Sequence, residues 1–347
     1  MPLRDEIFAR LEQVAFPGFR YGIVRYGLVR DVRVEAGEVV VELIAASRRR
    51  EVAQAIAQRV QEAVATIPQV RSVRVATAGD AAPPPHAHAE GRADVPGVRR
   101  ILAVSSAKGG VGKSTVAVNL AVSLRQAGAK VALMDADVYG PSAPLLFGID
   151  ARPRPVGGKI APIERYGIDV MSMGFFLDDS SPVIWRGPMV MGLIRQFLRD
   201  IEWGEQDYLV VDMPPGTGDA ALTLAQQVPL AGAVIVTTPQ EVALADVERG
   251  IAMFRQLHVP VLGLVENMSY YECPDCGERE EMFGAGGADS LARQFGVDVL
   301  ARLPLMTEVR ESGDAGRPIT IAAPDHAVSK SFAELARLLD QALAGAV

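Results

Sequence analysis

Leu3, Ile7, Leu11 and Val14 recur at helical spacing, and from Tyr21 to Ala45 the chain alternates as strands do, with Glu35-Ala36-Gly37-Glu38 as a hairpin turn. Val52, Ile56, Val60 and Val64 then line one face of a second helix, and Val70 to Val75 reads as a closing strand. The predicted order is helix, strand, strand, helix, strand, a small α+β domain over residues 1–78. Between Gly79 and Gly97 the pattern collapses into Ala, Pro, Gly and His, including Pro83-Pro84-Pro85-His86-Ala87-His88. With no apolar periodicity to bury, residues 79–98 are expected to be a linker, and its histidines to be inert.

From residue 99 to 347 the pattern changes again. Near-continuous apolar runs at Ile101 to Ser105, Val131 to Asp135, Tyr208 to Asp212, Ala233 to Thr237 and Val261 to Val265 alternate with helix-like segments. Such runs are what parallel strands buried on both faces require. The expected fold class is therefore α/β, a doubly wound, mostly parallel sheet of the P-loop NTPase type preceded by the small α+β domain. A final helix from Val328 to Ala344 carries Phe332, Leu335, Leu338, Leu339 and Leu343 on one side. It has few basic residues, so packing on the sheet is favoured over a membrane surface.

A chain of 347 residues suits two domains at about 100 to 200 residues each. The formal net charge of -7 argues against nucleic acid as a main partner. No apolar run approaches the roughly 18 residues of a transmembrane helix. Asp5 and Glu6 stand where a targeting peptide carries only positive charge, so a cytoplasmic protein is expected.

The chemistry concentrates at Ala107-Lys108-Gly109-Gly110-Val111-Gly112-Lys113-Ser114-Thr115, between an apolar strand and a helix. Gly109, Gly110, Val111 and Gly112 offer backbone amides at a helix N-terminus, an anion cradle in which glycines let phosphate oxygens approach. Lys113 is expected at the β and γ phosphates of ATP, Ser114 on Mg²⁺ and Thr115 on a neighbouring phosphate. The general pattern has glycine where this chain has Ala107, and Lys108 beside the glycine pair marks the deviant variant. A glycine-rich turn that binds nothing is the plain alternative. Two acidic clusters end later strands, at the sheet edge where such folds bind ligands. Asp212, followed by a turn through Gly216, fits a carboxylate near Mg²⁺, and Gly216 can offer an amide to a γ-phosphate. Asp137, in Asp135-Ala136-Asp137, fits a group that orients water. Either aspartate has an alternative as a helix N-cap.

Cys273 and Cys276 are the only cysteines and form a C-x-x-C pair. Two thiolates are half of a tetrahedral site, so a two-fold dimer is needed to supply four. Zinc completed by the dimer and a redox dithiol are the alternatives to an iron–sulfur cluster. Against the dithiol, the pair does not open a helix, the usual means of lowering a thiol pKa.

With Lys108 to Thr115, Asp135 to Ser142, Asp212 to Asp219, Glu266-Asn267-Met268 and Cys273-Pro274-Asp275-Cys276 in place, nearly the whole chain resembles the Mrp/ApbC family of iron–sulfur cluster carrier ATPases, relatives of MinD, ParA and the nitrogenase iron protein. The resemblance implies a homodimer in which Lys108 reaches the partner's nucleotide, Asp137 lies in switch I, Gly216 in switch II, and Asn267 contacts adenine. It implies a labile 4Fe–4S cluster bridging the dimer, received from cluster donors and passed to apo-proteins by a slow ATPase, with no nucleic acid and no stable membrane association. A positioning ATPase of the MinD/ParA kind, an electron-transfer ATPase like the nitrogenase iron protein and a zinc-stapled ATPase are its rivals. The first 78 residues resemble a small iron–sulfur assembly domain, without the cysteine often present there.

Overall fold

A computed structural model describes residues 3–14, 23–24, 29–35, 37–43, 50–77, 95–138, 140–156, 158–176, 187–273 and 275–344. Most of the expected linker, with His86 and His88, lies outside the described residues, as do Tyr139 and Pro274 of the motifs. The chain divides into two compact units, one of Met1–Gly91 with Phe176–Phe197, the other of Arg92–Phe175 with Leu198–Val347.

The first unit contains α1 (Leu3–Leu11), β1 (Val29–Glu35), β2 (Glu38–Leu43), α2 (Arg50–Ala65) and β3 (Ser72–Thr77), the order expected from the sequence. β1 and β2 form the antiparallel hairpin, Glu35 opposite Glu38, and β3 joins β2 in parallel through the α2 crossover. Alternate residues Val39, Val41 and Leu43 of β2 are buried, and so are Ile7, Leu11, Ile56, Val60 and Val64 of the helices. One apolar face per element therefore suffices for a small two-layer core.

The second unit opens with β4 (Val98–Ser105), α3 (Lys113–Gln126), β5 (Val131–Asp135) and α4 (Ala143–Phe147). Short strands β6 (Pro155–Val156), β7 (Lys159–Ile160) and β8 (Ile163–Arg165) lead to β9 (Ile168–Ser172) and a 3₁₀ turn at Met173–Phe176; α5 (Gly187–Asp200), next in the chain, belongs to the first unit up to Phe197. Then come β10 (Gln206–Asp212), α6 (Asp219–Gln227), β11 (Leu230–Thr237), α7 (Glu241–Gln256) and β12 (Val261–Glu266). A hairpin of β13 (Tyr271–Glu272) and β14 (Arg279–Glu280) precedes α8 (Gly287–Phe295), β15 (Val299–Arg302), α9 (Thr307–Asp314), α10 (Ile319–Ala322) and α11 (Ala327–Ala344).

Eight strands form one sheet in the order β15-β12-β11-β4-β10-β5-β9-β8. All neighbours are parallel except β8, which pairs antiparallel with β9 at the edge. The apolar runs are these strands: every residue of β5 is buried, and so are Ile101 to Ser105 of β4. β4 lies at the centre, and the chain leaves it toward β5 on one side and later reaches β11 on the other. That reversal opens a crevice at the carboxyl edge of β4, where open α/β sheets bind ligands.

Helix α3 is buried almost all round, from Val116 to Leu124, because it lies against the sheet and is covered by α11. The apolar face of α11, with Val328, Phe332, Leu335, Leu339 and Leu343, is spent on that contact. Among the described residues no helix is long and apolar enough to cross a membrane.

Candidate phosphate loop and cysteine hairpin

Ser105 ends β4 and Lys113 begins α3, so residues 106–112 turn the chain at the sheet's carboxyl edge. Gly110 (φ 81°) and Gly112 (φ 79°) adopt left-handed backbone, which a side chain strains against. A Cβ at Gly112 would also stand 2.2 Å from Asn267 Nδ2. Gly112→Ala is therefore expected to lower stability by about 1–3 kcal/mol and to weaken nucleotide binding, as read from urea unfolding and an ADP titration. Parent-like behaviour would mean that Asn267 does not pack on the loop. Ala107, where the general pattern has glycine, is not among the described residues with positive φ, which explains why alanine serves there. Val111 is buried and anchors the loop, while Lys108, Gly109 and Gly110 are exposed. No side chain caps α3, so the first-turn amides of Lys113, Ser114 and Thr115 lie at a positive helix end.

Lys113 is buried, and its Nζ donates to Asp212 Oδ1 at 2.5 Å and to Ser114 Oγ at 3.3 Å, with Asp137 Oδ2 at 3.8 Å. The structure thus brings together three residues that are far apart in sequence. Burial raises the pKa of Asp212, and the charge of Lys113, helped by the Ser114 hydroxyl, works against it. Among the described residues Oδ2 of Asp212, which is buried, has no hydrogen-bond partner. A buried carboxylate oxygen beside Ser114 and a lysine fits the oxygen-donor set of Mg²⁺.

Asp135, which the sequence reading left without a role, is the structural member of its cluster. Its Oδ1 accepts the Asp137 N–H at 3.1 Å, and its Oδ2 accepts the Ala143 N–H at 3.0 Å and the Ser172 hydroxyl at 2.9 Å. Burial, then the charge of Asp212, pushes its pKa up to about 7 against those hydrogen bonds. With both oxygens engaged, Asp135 fixes the turn that carries Asp137 and the start of α4. At the start of α4 it is therefore Asp135 that bonds the first-turn amide of Ala143. Asp137 instead accepts the Gly140 N–H at 3.2 Å and faces Lys113.

Gly216 sits in the turn after β10 with φ 86°, and its N–H donates to Ser106 O at 2.8 Å. Its amide therefore reaches a γ-phosphate only by exchanging that hydrogen bond. Asn267 follows β12, and its Nδ2 donates to Val111 O at 2.9 Å. Beside it a cavity of about 230 Å³ is lined by Gly112, Thr115, Asn267, Met268, Leu305 and Phe332, among others. The sequence reading named only Asn267 for the base. The remaining walls come from Leu146 of α4, the segment from Leu303 to Met306, α9 and α11, and no local motif marks them.

Cys273 and Cys276 stand in the turn between β13 and β14, with Cys273 half-buried and Cys276 exposed, both as free thiols. The Cys273 N–H donates to Glu278 O at 2.9 Å and the Gly277 N–H to Cys273 O at 2.8 Å. The pair opens no helix, as expected, yet the turn replaces the missing helix end. The backbone amides of Cys276 and Asp275 point at the Cys273 sulfur and lower its pKa, a means other than the helix start that is missing here. Among the described residues no group of three or more His, Cys, Asp or Glu completes a metal site.

Residues 97–340 match the family model described as ParA, the NUBPL iron-transfer P-loop NTPase. The chain belongs to this family. Residues 4–76 match a second model, that of an iron–sulfur cluster assembly protein. An iron–sulfur cluster carrier protein of Synechocystis is 44% identical over 339 residues, 96% of each chain. A nucleotide-binding protein of Archaeoglobus fulgidus, solved in complex with ADP and with cobalt, is 45% identical with a TM-score of 0.57 over 63% of this chain and 87% of its own. The cell-division ATPase MinD of Pyrococcus furiosus, at 22% identity and a TM-score of 0.54 over 70% of this chain and 99% of its own, shares the fold. The family and the Lys113 constellation together make this chain an ATP-hydrolysing P-loop enzyme.

Proposed function

We propose that this chain is a cytoplasmic, homodimeric iron–sulfur cluster carrier ATPase. It holds a 4Fe–4S cluster between Cys273 and Cys276 of two copies, receives it from a cluster donor and passes it to apo-proteins. The observation that carries this reading is the free, solvent-facing thiol pair in a tight turn that has no third ligand among the described residues. Two thiolates from each of two copies close a four-thiolate site, and a site at a subunit seam can open to release its cargo. The relatives named as cluster carriers support the same reading. The ADP complex of the Archaeoglobus protein supports adenine nucleotide in the cradle.

In the ATPase cycle Lys113 turns from Asp212 to the β and γ phosphates, and Thr115 and the loop amides hold the remaining phosphate oxygens. Asn267 lies beside the cavity that takes adenine. Ser114 and Asp212 would hold Mg²⁺, which would supply neutralisation of the phosphate charge. Exchange of the Gly216 bond from Ser106 to the γ-phosphate makes that turn a switch released by hydrolysis. The exposure of Lys108 supports its action at the partner's nucleotide. Asp137 orients the attacking water. Asp137→Asn is expected to leave ATP binding within about twofold and to lower hydrolysis about 10²-fold or more, within the usual range for general acid–base groups. Equal loss of binding and hydrolysis would make Asp137 a Mg²⁺ or structural residue.

Anaerobic reconstitution with iron and sulfide tests the carrier reading. About four irons and four sulfides per dimer are expected by cluster stoichiometry, together with transfer to an apo-acceptor. Zinc at about one per dimer with no iron retained would leave a zinc-stapled ATPase instead.

A further inference from the structure

Asn267, whose amide holds the phosphate loop, stands six positions before Cys273 in the chain. The backbone between them is tied down from Ser269 to Glu272. Glu266, buried at the end of β12, accepts the Ser269 hydroxyl on Oε1 at 2.5 Å, and the same oxygen lies 3.7 Å from Arg302 Nε on β15. Met268 is one of few described non-glycine residues with left-handed backbone, at φ 54°. The Ser269 N–H donates to Leu303 O at 2.8 Å, the Leu305 N–H donates to Tyr270 O at 2.7 Å, and Tyr271 bridges to Leu305 before it enters the cysteine hairpin.

Met268, Leu303 and Leu305 also line the cavity beside the phosphate loop. One wall of that cavity is thus formed by the backbone that leads into the cysteine hairpin and by the 303–305 segment bonded to it. A left-handed methionine is costly and persists only where its surroundings over-determine it. Here the determinants are the Asn267 bond to Val111 on one side and the Glu266–Ser269 clasp on the other.

We propose that the Glu266–Ser269 clasp couples the two sites, so that an adenine nucleotide in the cavity fixes the 268–270 backbone and strengthens metal binding at Cys273 and Cys276. The inference rests on the reading of these cysteines as a metal-holding pair. A ligand shifts such a segment only by its differential contact with the two arrangements, and cavity-lining Met268, Leu303 and Leu305 supply that contact. Reciprocity then requires metal at the thiolates to tighten nucleotide binding by the same factor. Glu266 and Ser269 act as positioning residues, since neither touches metal.

The test is an anaerobic Co²⁺ titration of the full chain, followed by thiolate-to-cobalt absorption, with and without Mg-ADP. The parent is expected to bind Co²⁺ at least about fivefold more tightly with ADP, the lower end of common coupling. Ser269→Ala is expected to reduce that ratio below about twofold while keeping the Co²⁺ affinity measured without ADP. A parent whose Co²⁺ affinity ignores ADP, or a Ser269→Ala variant with the full ratio, would overturn the coupling and leave the carrier reading standing. Absence of thiolate bands in the parent would overturn both. Hydrogen exchange on the parent gives a second measurement that needs no variant. The amides of Ser269 and Leu305 are expected to exchange at least about fivefold more slowly with ADP, and unchanged exchange overturns the proposal.

Discussion

Lys113→Ala is expected to weaken ATP binding or to slow hydrolysis by at least about tenfold, because it removes a charge-assisted donor to phosphate worth roughly 1.5–3 kcal/mol. The structure adds a second loss. Lys113 is the counter-charge of Asp212, at 2.5 Å, and without it burial and the charge of Asp137 raise the pKa of that carboxyl further, opposed by the Ser114 hydroxyl. Asp212 is then expected to hold a proton more tightly than in the parent and to be a weaker ligand for Mg²⁺. The two effects act in one direction, so ADP and ATP titrations should both weaken, and extra Mg²⁺ should restore little. Circular dichroism checks that the variant folds, since removing one partner of a buried ion pair is destabilising when the other stays charged. Phosphate release at the parent rate would remove the phosphate-loop assignment. Ordinary hydrolysis with altered Mg²⁺ dependence would instead place Lys113 with the metal.

The sequence was most legible where one short segment carries the whole physical demand. β4, β5, β10, β11 and β12 read directly as apolar runs because a strand buried on both faces has no polar position to spare. The phosphate loop was equally clear, since its left-handed glycines and its lysine are adjacent in the chain. β6 to β8 went unread because they are two or three residues long and half-exposed or exposed, so neither length nor apolarity marks them. β9 also escaped, although it supplies Ser172 to Asp135.

The parts of the site that depend on distant pairs were hidden for a different reason. Val111 and Asn267 lie 156 positions apart, and Asn119 and Thr320, which lock α3 to α10, 201 positions apart. A motif records spacing within a segment and is silent on such closures. The same limit explains Asp135. From sequence it was one of two similar aspartates, and only the donors that fill its oxygens separate the anchor from Asp137. Gly216 shows the converse case: its conformation was legible, but its hydrogen bond to Ser106 O was not.

Cys273→Ser and Cys276→Ser are each expected to abolish cluster retention while leaving ADP affinity within about twofold of the parent's, apart from the coupling argued above. The turn that holds the thiols uses backbone bonds, Cys273 N–H to Glu278 O and Gly277 N–H to Cys273 O, which serine keeps. A lost cluster therefore reports lost sulfur and not a lost fold. Serine at Cys273 also forgoes the thiolate that the Cys276 and Asp275 amides favour, so replacing it with a harder oxygen does not rescue iron. The same count of ligands links metal to assembly. Each chain brings two thiols, so whatever closes a four-thiolate site binds the dimer and not the monomer, and it stabilises the dimer by mass action. Sedimentation of the reconstituted parent at micromolar concentration should give dimer, and removal of the cluster by a chelator should shift the population toward monomer. The serine variants should show no such shift. Four irons retained on a monomer, or on either serine variant, would mean that other ligands hold the cluster and that the cysteine turn is not its site.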